Sequence, residues 1–504
     1  MRRMMETAVL AAGLIVASQA ASQEAAATAE PDRDWRKTAL ADLHAFHAII
    51  EANHPGPVNP LDPHFKVREA RALALAERRA QRVRDYPGYL WTLRAYAASF
   101  DDGHVQIGFD KGPHVVVRWP GFLTGFDGRG HQRVMTRSED APVPDGATLI
   151  DCDGIAADRL AEQHVGAFRG RWQLSSQRIA AGGRLFLDMG NPFVARPSLC
   201  RFRIGSTVRV VPLAWRTLPD AELDSRLTAT APRVTPAIGA RTLADGTRWF
   251  SLSDFNGDPD GAAAKALVPL IAAMARDRDA IASAPAIVLD VRGNGGGSSD
   301  WSQQIARVVW GRAAVDALPR TEQGVDWRVS PANLATLEGY RRTFAAPGAS
   351  QEARDWAKRT AEGIAEALKA GRTFWREADE ETPASQPAAP APSPRGPVYV
   401  LTDWRCASAC LDAVDLWKSL GAVQIGQETS ADTLYMDLRE DGLPSGLASV
   451  WIPMKVYRGR QRGSNVPQVP TYRYAGDPRD EGALESWVAS LPRNTPGASQ
   501  HSAR

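Results

Sequence analysis

Three short stretches of this chain hold residue types that could do chemistry. The first runs from Pro397 to Gly426, where Ser408 sits between Ala407 and Ala409. The apolar, β-branched run Val398, Tyr399, Val400 and Leu401 before it reads as a buried strand. The helical spacing of Leu411, Val414, Asp415 and Lys418 follows it. A serine at such a strand–turn–helix junction has two readings. It is a nucleophile with the first N–H groups of the helix aimed at its substrate, or it caps the helix. The second stretch is the apolar strand Ala286–Val291, followed by Gly293, Asn294, Gly295, Gly296 and Gly297. Glycines there allow close approach to a ligand, and their N–H groups could bind a phosphate or an oxyanion. Neither G-x-x-x-x-G-K-[ST] nor G-x-G-x-x-G is present, which argues against a nucleotide. An oxyanion hole built from one glycine N–H and the N–H of Ala409 needs only that the two strands be neighbours. The third stretch is the turn Asp102-Gly103-His104. An imidazole titrates near neutral pH, so His104 is a general base or a loop histidine bonded to backbone.

The elements that must position these stretches follow from periodicity. Leu40, Leu43, Phe46 and Ile50 recur at helical spacing, and further helical patterns cover Val67–Val83 and Pro87–Phe100. These make an N-terminal helical region, 35–110. Residues 111–220 are strand-rich, with a strand at Val115–Val117, another at Leu149–Gly154 and a hairpin of Cys200–Ile204 with Val208–Leu213. From 235 to 492, strands alternate with helices, which predicts an α/β domain with ligand sites at the ends of its parallel strands. An insertion, 311–395, interrupts this domain; its first part is helical, and 382–394 is a flexible Pro/Ala-rich segment.

The chain has 504 residues, 44% hydrophobic and 23% charged, with a net charge of +2. The scattered arginines exclude a nucleic-acid footprint. Arg2 and Arg3 before the apolar run Ala8–Ala17, with small residues following, have the layout of a signal peptide, 1–21. A polar linker, 22–34, comes next. No later segment is apolar enough to span a membrane, so a periplasmic or secreted location is expected, and disulfides are permitted there. Among the four cysteines, Cys152 and Cys200 are the preferred pair; Cys406 and Cys410, at i,i+4 around Ser408, are paired or simply buried. No metal site and no cofactor are expected. His44, His47, His54, His64, His114, His131 and His164 are read as structural or exposed.

AIVLDVRGNGGG, then VYVLTDWRCASAC and GAVQIGQET, resemble the core of the tail-specific or C-terminal-processing serine peptidases, peptidase family S41, whose clan includes the tricorn core protease. The family's D-x-R-x-N-x-G-G matches Asp290, Arg292, Asn294, Gly296 and Gly297. Its serine–alanine pair matches Ser408 and Ala409, and its D-G-H turn matches Asp102, Gly103 and His104. Gly146 and the segment Ala147–Gly154 resemble part of its PDZ-like domain. The resemblance implies an α/β, crotonase-like (ClpP/crotonase) catalytic domain, with an N-terminal helical region and a β-rich PDZ-like domain. It implies an exported peptidase acting on peptides or proteins through a Ser408 acyl-enzyme, with N–H groups near Gly296 and Ala409 as the oxyanion hole. One departure bears on mechanism. Where one branch of the family has a lysine, this chain has Ala431-Asp432-Thr433, and Lys418 and Lys455 lie elsewhere. The tricorn-like branch uses a histidine instead, which corresponds to His104, with Asp102 or Glu428 as the orienting acid. The alternative is a peptidase-like binding protein that has lost a working base. An acyl-CoA enzyme on the related fold lacks a basic cluster for the CoA phosphates.

Overall fold

The helical spacing around Leu43, Phe46 and Ile50 forms α1 (Trp35–Asn53), and the next two patterns form α2 (Phe65–Ala80) and α3 (Tyr86–Ala98). The computed structural model describes residues 33–109, 111–318, 324–345, 351–377 and 393–493. The expected signal peptide, nearly all of the linker 22–34, and most of the segment 382–394 lie outside the described residues. α3 is buried along Tyr89, Leu90, Leu93 and Tyr96, and α1 and α2 pack against it. Asp85 starts α3 by accepting the N–H of Gly88 at 2.8 Å, which satisfies a donor the first turn leaves open.

The fold is mixed α/β, and two of its sheets meet around the site. One is a six-stranded sheet in the order Gly239–Thr242, Arg248–Ser251, Ile287–Asp290, Val398–Thr402, Val423–Gly426 and Tyr472–Arg473. All its pairings are parallel except that of the first strand. Ile287–Asp290 and Val398–Thr402 are buried on both faces, which is why they read as continuous apolar runs rather than as alternation. Their register aligns Asp290 with Leu401, so the glycine turn and the Ser408 turn leave the same sheet edge side by side.

The second sheet is built on Ser449–Arg458. Tyr435–Gly442 pairs along one edge of that strand. The other edge takes Gln106–Gly108 and, further along, Gly324–Arg328, which pairs in turn with Phe374–Glu377. The last two strands belong to the expected insertion, which therefore contributes strands as well as the helices Pro331–Phe344 and Gln351–Lys369. Trp327, Leu337, Ala361, Ile364 and Met454 make its own small core. Ser330 and Asn333 tie it to Asn53 at the end of α1.

The third sheet, in the β-rich region, orders Phe122–Phe126, Gln132–Arg137, Thr148–Cys152, Leu199–Ile204 and Thr207–Pro212. Cys152 and Cys200 are directly opposed and joined by a disulfide. Val115–Val117 is not a strand, contrary to its β-branched composition. Val116 is exposed, and pairing begins only at Arg118–Trp119; β-propensity without a partner edge does not make a strand. Among the described residues no helix is long and apolar enough to cross a membrane.

Candidate active site

Ser408 occupies the residue before the helix Ala409–Ser419, with φ +54° and ψ −126°, and its side chain makes no capping hydrogen bond. The conformation falls in a region that non-glycine residues rarely occupy and costs about 1–3 kcal/mol. A mere cap would be extended, with its oxygen on the N–H of the second or third helical residue. The cap reading therefore fails, and the hydroxyl makes no hydrogen bond among the described residues.

Three features hold this strained turn. A disulfide joins Cys406 to Cys410 across it, which resolves the alternative the spacing left open; both cysteines are fully buried. Gly296, at φ +100°, approaches so closely that an added Cβ would lie 2.6 Å from Ser408 Cβ and 2.9 Å from the nitrogen of Ala409. Asp403, just past the strand, accepts the N–H groups of Gly293 and Arg405 at 3.0 Å each. Burial pushes the Asp403 carboxyl up to about 6.

The glycine turn is braced from below. Arg292 forks onto Asp290, with Nη2 2.7 Å from Oδ2, and reaches Glu481 at 2.9 Å; Trp249 donates to Asp290 at 3.1 Å. Asn294 donates to Leu252 O at 2.7 Å and accepts the N–H of Gly296 at 2.9 Å. This corrects the expectation that the Gly296 N–H faces an oxyanion, because Asn294 Oδ1 already takes it. The N–H groups of Ala409 and Gly297 donate to no acceptor among the described residues.

His104 comes from a different part of the fold. It ends the helical region in the turn before Gln106–Gly108, and that strand pins the turn to Ser449–Arg458. Asp102 is buried, accepts the His104 N–H at 2.8 Å, and lies 3.5 Å from His104 Nδ1. Thr433 donates to the other Asp102 oxygen at 2.7 Å. Burial opposes charge on His104, but Asp102 and then Asp432 outweigh it and hold the imidazole above its ordinary range. At Asp102, burial is overcome by His104, through its side chain and its N–H, and by Thr433, which hold the carboxyl below the usual range. Glu428 instead faces Arg473, at 3.6 Å, so as orienting acid it is set aside.

The two halves meet through the segment Ser430–Thr433. Ser430 donates to Cys406 O at 3.0 Å, two residues before Ser408, while Thr433 holds Asp102. No hydrogen bond joins His104 to Ser408 among the described residues. Arg171 is a contributor that sequence reasoning missed. Its Nη1 donates to Ala431 O at 2.9 Å, and its guanidinium fills the space where a Cβ on Gly103 would fall, 2.7 Å away. A side chain at position 103 would require the Arg171 guanidinium to shift. Asp432, in the position of the missing lysine, is buried and held by Arg460 and Arg462. Lys418 bonds Gln468 at 2.7 Å. Lys455 is half-buried against Asp437, 2.5 Å away, which more than offsets the desolvation and keeps it firmly protonated. Among the described residues neither lysine makes a hydrogen bond to Ser408.

A serine freed at a strand end, unengaged N–H groups beside it and an acid-backed imidazole on a neighbouring turn make a constellation for nucleophilic attack on a carbonyl. Residues 251–450 match the model of peptidase family S41. Both strand ends, Ser408 and the segment Ser430–Thr433 lie within that span, and His104 lies outside it. No curated protein matches the chain in sequence. Among solved structures it is similar to mature CPAF, 14% identical over 87% of this chain and 92% of that chain, with a TM-score of 0.56; at that identity the likeness is one of fold. Weaker likenesses are to the photosystem II D1 C-terminal processing protease (15% identity, 87% of this chain and 93% of that chain, TM-score 0.32) and to the tricorn protease (14%, 90% and 37%, TM-score 0.37).

Proposed function

We propose that the protein is an exported serine peptidase that cleaves peptide bonds through an acyl-enzyme on Ser408. The observation that carries this reading is Ser408 itself, held at positive φ with its hydroxyl uncommitted, inside the span that matches an S41 peptidase. His104 removes the Ser408 proton as the hydroxyl attacks the scissile carbonyl, then returns it to the leaving amine. Asp102 orients the imidazole and stabilises its charged form. The N–H groups of Ala409 and Gly297 receive the developing oxyanion, and Gly296 supplies the close approach that brings them together. Water then releases the acyl group by the same route in reverse. The catalytic sheet is read as crotonase-like and the β-rich region as PDZ-like, with an exposed sheet edge suited to an extended peptide. The disulfides Cys152–Cys200 and Cys406–Cys410 support an oxidising compartment such as the periplasm or the cell exterior.

One observation favours a second reading, a peptide-binding protein without turnover: His104 makes no hydrogen bond to Ser408. A fluorophosphonate probe separates the two. The peptidase reading expects wild type to be labelled, Ser408→Ala to be unlabelled, and Lys455→Ala to be labelled still. Failure to label folded wild type would leave the binding-protein reading standing.

A further inference from the structure

His47, Glu51 and Glu69 lie in the helical region. His47 and Glu51 are one turn apart on the same face of α1, and Glu69 comes from α2. Their donor atoms all fall within 4.8 Å of one another. Such a cluster on two surface helices would be unremarked but for Glu69. Its side chain is only 3% exposed, and its Oε1 takes no hydrogen bond. His47 Nδ1 lies 3.4 Å from it. Among the described residues no lysine or arginine forms an ion pair with Glu51 or Glu69. A buried carboxylate oxygen without a hydrogen bond is costly, and a cation between the helices would supply the partner that Oε1 lacks.

We propose that His47, Glu51 and Glu69 bind a divalent transition-metal cation of the Zn2+ class, clipping α1 to α2. Two carboxylates carry a formal charge that a dication balances, and one imidazole nitrogen with two oxygens is a donor set suited to Zn2+ with water in a fourth position. Ca2+ asks for six to eight oxygens and Mg2+ for an octahedron of them, which three side chains including an imidazole do not provide. Ligand atoms around tetrahedral zinc sit about 3.3 Å apart, a contraction that rotamer shifts of Glu51, which is exposed, can supply. The Tyr96 hydroxyl lies 3.0 Å from His47 Nδ1, and a cation bound at that nitrogen takes the place of this hydrogen bond. The site sits in the helical region, apart from the Ser408 turn, and its failure would leave the peptidase reading untouched.

The test is titration of chelator-treated, dialysed full-length protein with ZnCl2 in a calorimeter, with Co2+ absorption in the visible range as the spectroscopic readout. Wild type is expected to bind one Zn2+ saturably, to gain thermal stability reversed by EDTA, and to show no response to Ca2+ at the same concentration. Glu69→Gln, which keeps the shape and removes the charge, and His47→Ala should each weaken Zn2+ binding at least tenfold and lose the Co2+ bands. Glu51→Gln, at an exposed position where folding is not at risk, should weaken binding by a smaller factor. Glu77→Gln, which removes the partner of neighbouring His44, should change nothing. Absence of stoichiometric binding by wild type would overturn the proposal. So would binding that survives in Glu69→Gln and Glu51→Gln, since the metal would then sit on other histidines.

Discussion

The two halves of the candidate site are built in different ways. Ser408 and the glycine turn stand on adjacent strands of one parallel sheet, in fixed register, closed by a disulfide and braced by Asp403, Asn294 and the Asp290–Arg292 fork. The His104 turn stands on the end of a helical region, pinned by its strand to Ser449–Arg458, and its link to the Ser408 half runs through hydrogen bonds of side chains: Thr433 on Asp102, Arg171 on Ala431, and Asn465 on the carbonyl of Asp101. Backbone pairing and a covalent bond make the nucleophile half hard to move. Side-chain contacts of about 0.5–1.5 kcal/mol each make the base half separable. Damage to the first half should abolish chemistry outright, whereas damage to the second should degrade and retune it.

The largest expected effect is that of Ser408→Ala, which removes the atom that forms the bond. Peptide hydrolysis should fall by on the order of 10^6-fold, with the thermal transition unchanged. His104→Ala should follow with a loss of about 10^2–10^4-fold in labelling rate. A His104→Ala protein that labels at the wild-type rate would show that the base half had been wrongly assigned. Gly296→Ala tests the close approach: its Cβ would meet Ala407 O and Ser408 Cβ at 2.6 Å, in a backbone conformation that disfavours any side chain. We expect it to lose about 1–3 kcal/mol of stability and most of its labelling.

Much of the nucleophile half was legible in the sequence because its information is local. Residues 286–309 and 398–419 each carry an apolar strand, a turn of small residues and a helix in one run, and the remaining condition, that the strands be neighbours, is a matter of topology. The base half was less legible because its contacts join distant residues. Nothing near Gly103 announces Arg171, 68 positions on, and nothing near Asp432 announces Arg460 and Arg462. The expectation for Gly296 failed for another reason: spacing shows where glycines fall, but only coordinates show that Asn294 takes that N–H. The strands Gly324–Arg328 and Phe374–Glu377 were hidden because each is short and flanks helices, so that only their pairing with Ser449–Arg458 makes them strands. His47 read as an unpartnered histidine because Glu69 lies on another helix.

A pH profile sharpens the comparison further. His104 acts as a base only when neutral, and its pKa is raised above the ordinary imidazole range by Asp102 and Asp432. Labelling should therefore rise with pH through a value above about 6.5. Asp102→Asn removes the larger of the two raising charges, so the rising limb should move to lower pH, even as the maximal rate falls. A purely structural role for Asp102 would lower the rate without moving the limb.

The smallest and most selective effects concern the two disulfides, which divide along the same line as the halves. Cys152 and Cys200 are 48 residues apart and Cys406 and Cys410 only 4. On the chain-entropy account, removing the first costs about 4 kcal/mol and removing the second about 2 kcal/mol. Stability alone would make Cys152–Cys200 the more important bond. The short bridge, however, spans the residue whose backbone is strained, and without it the turn can relax Ser408 towards an ordinary helix-capping conformation in which the hydroxyl bonds a helix N–H. The double variant Cys406→Ala/Cys410→Ala should therefore melt at a higher temperature than Cys152→Ala/Cys200→Ala, yet label several-fold more slowly. If both pairs affect labelling only in proportion to stability, the bridge across Ser408 is a fastening like any other, and the strained turn is held by Gly296 and the sheet alone.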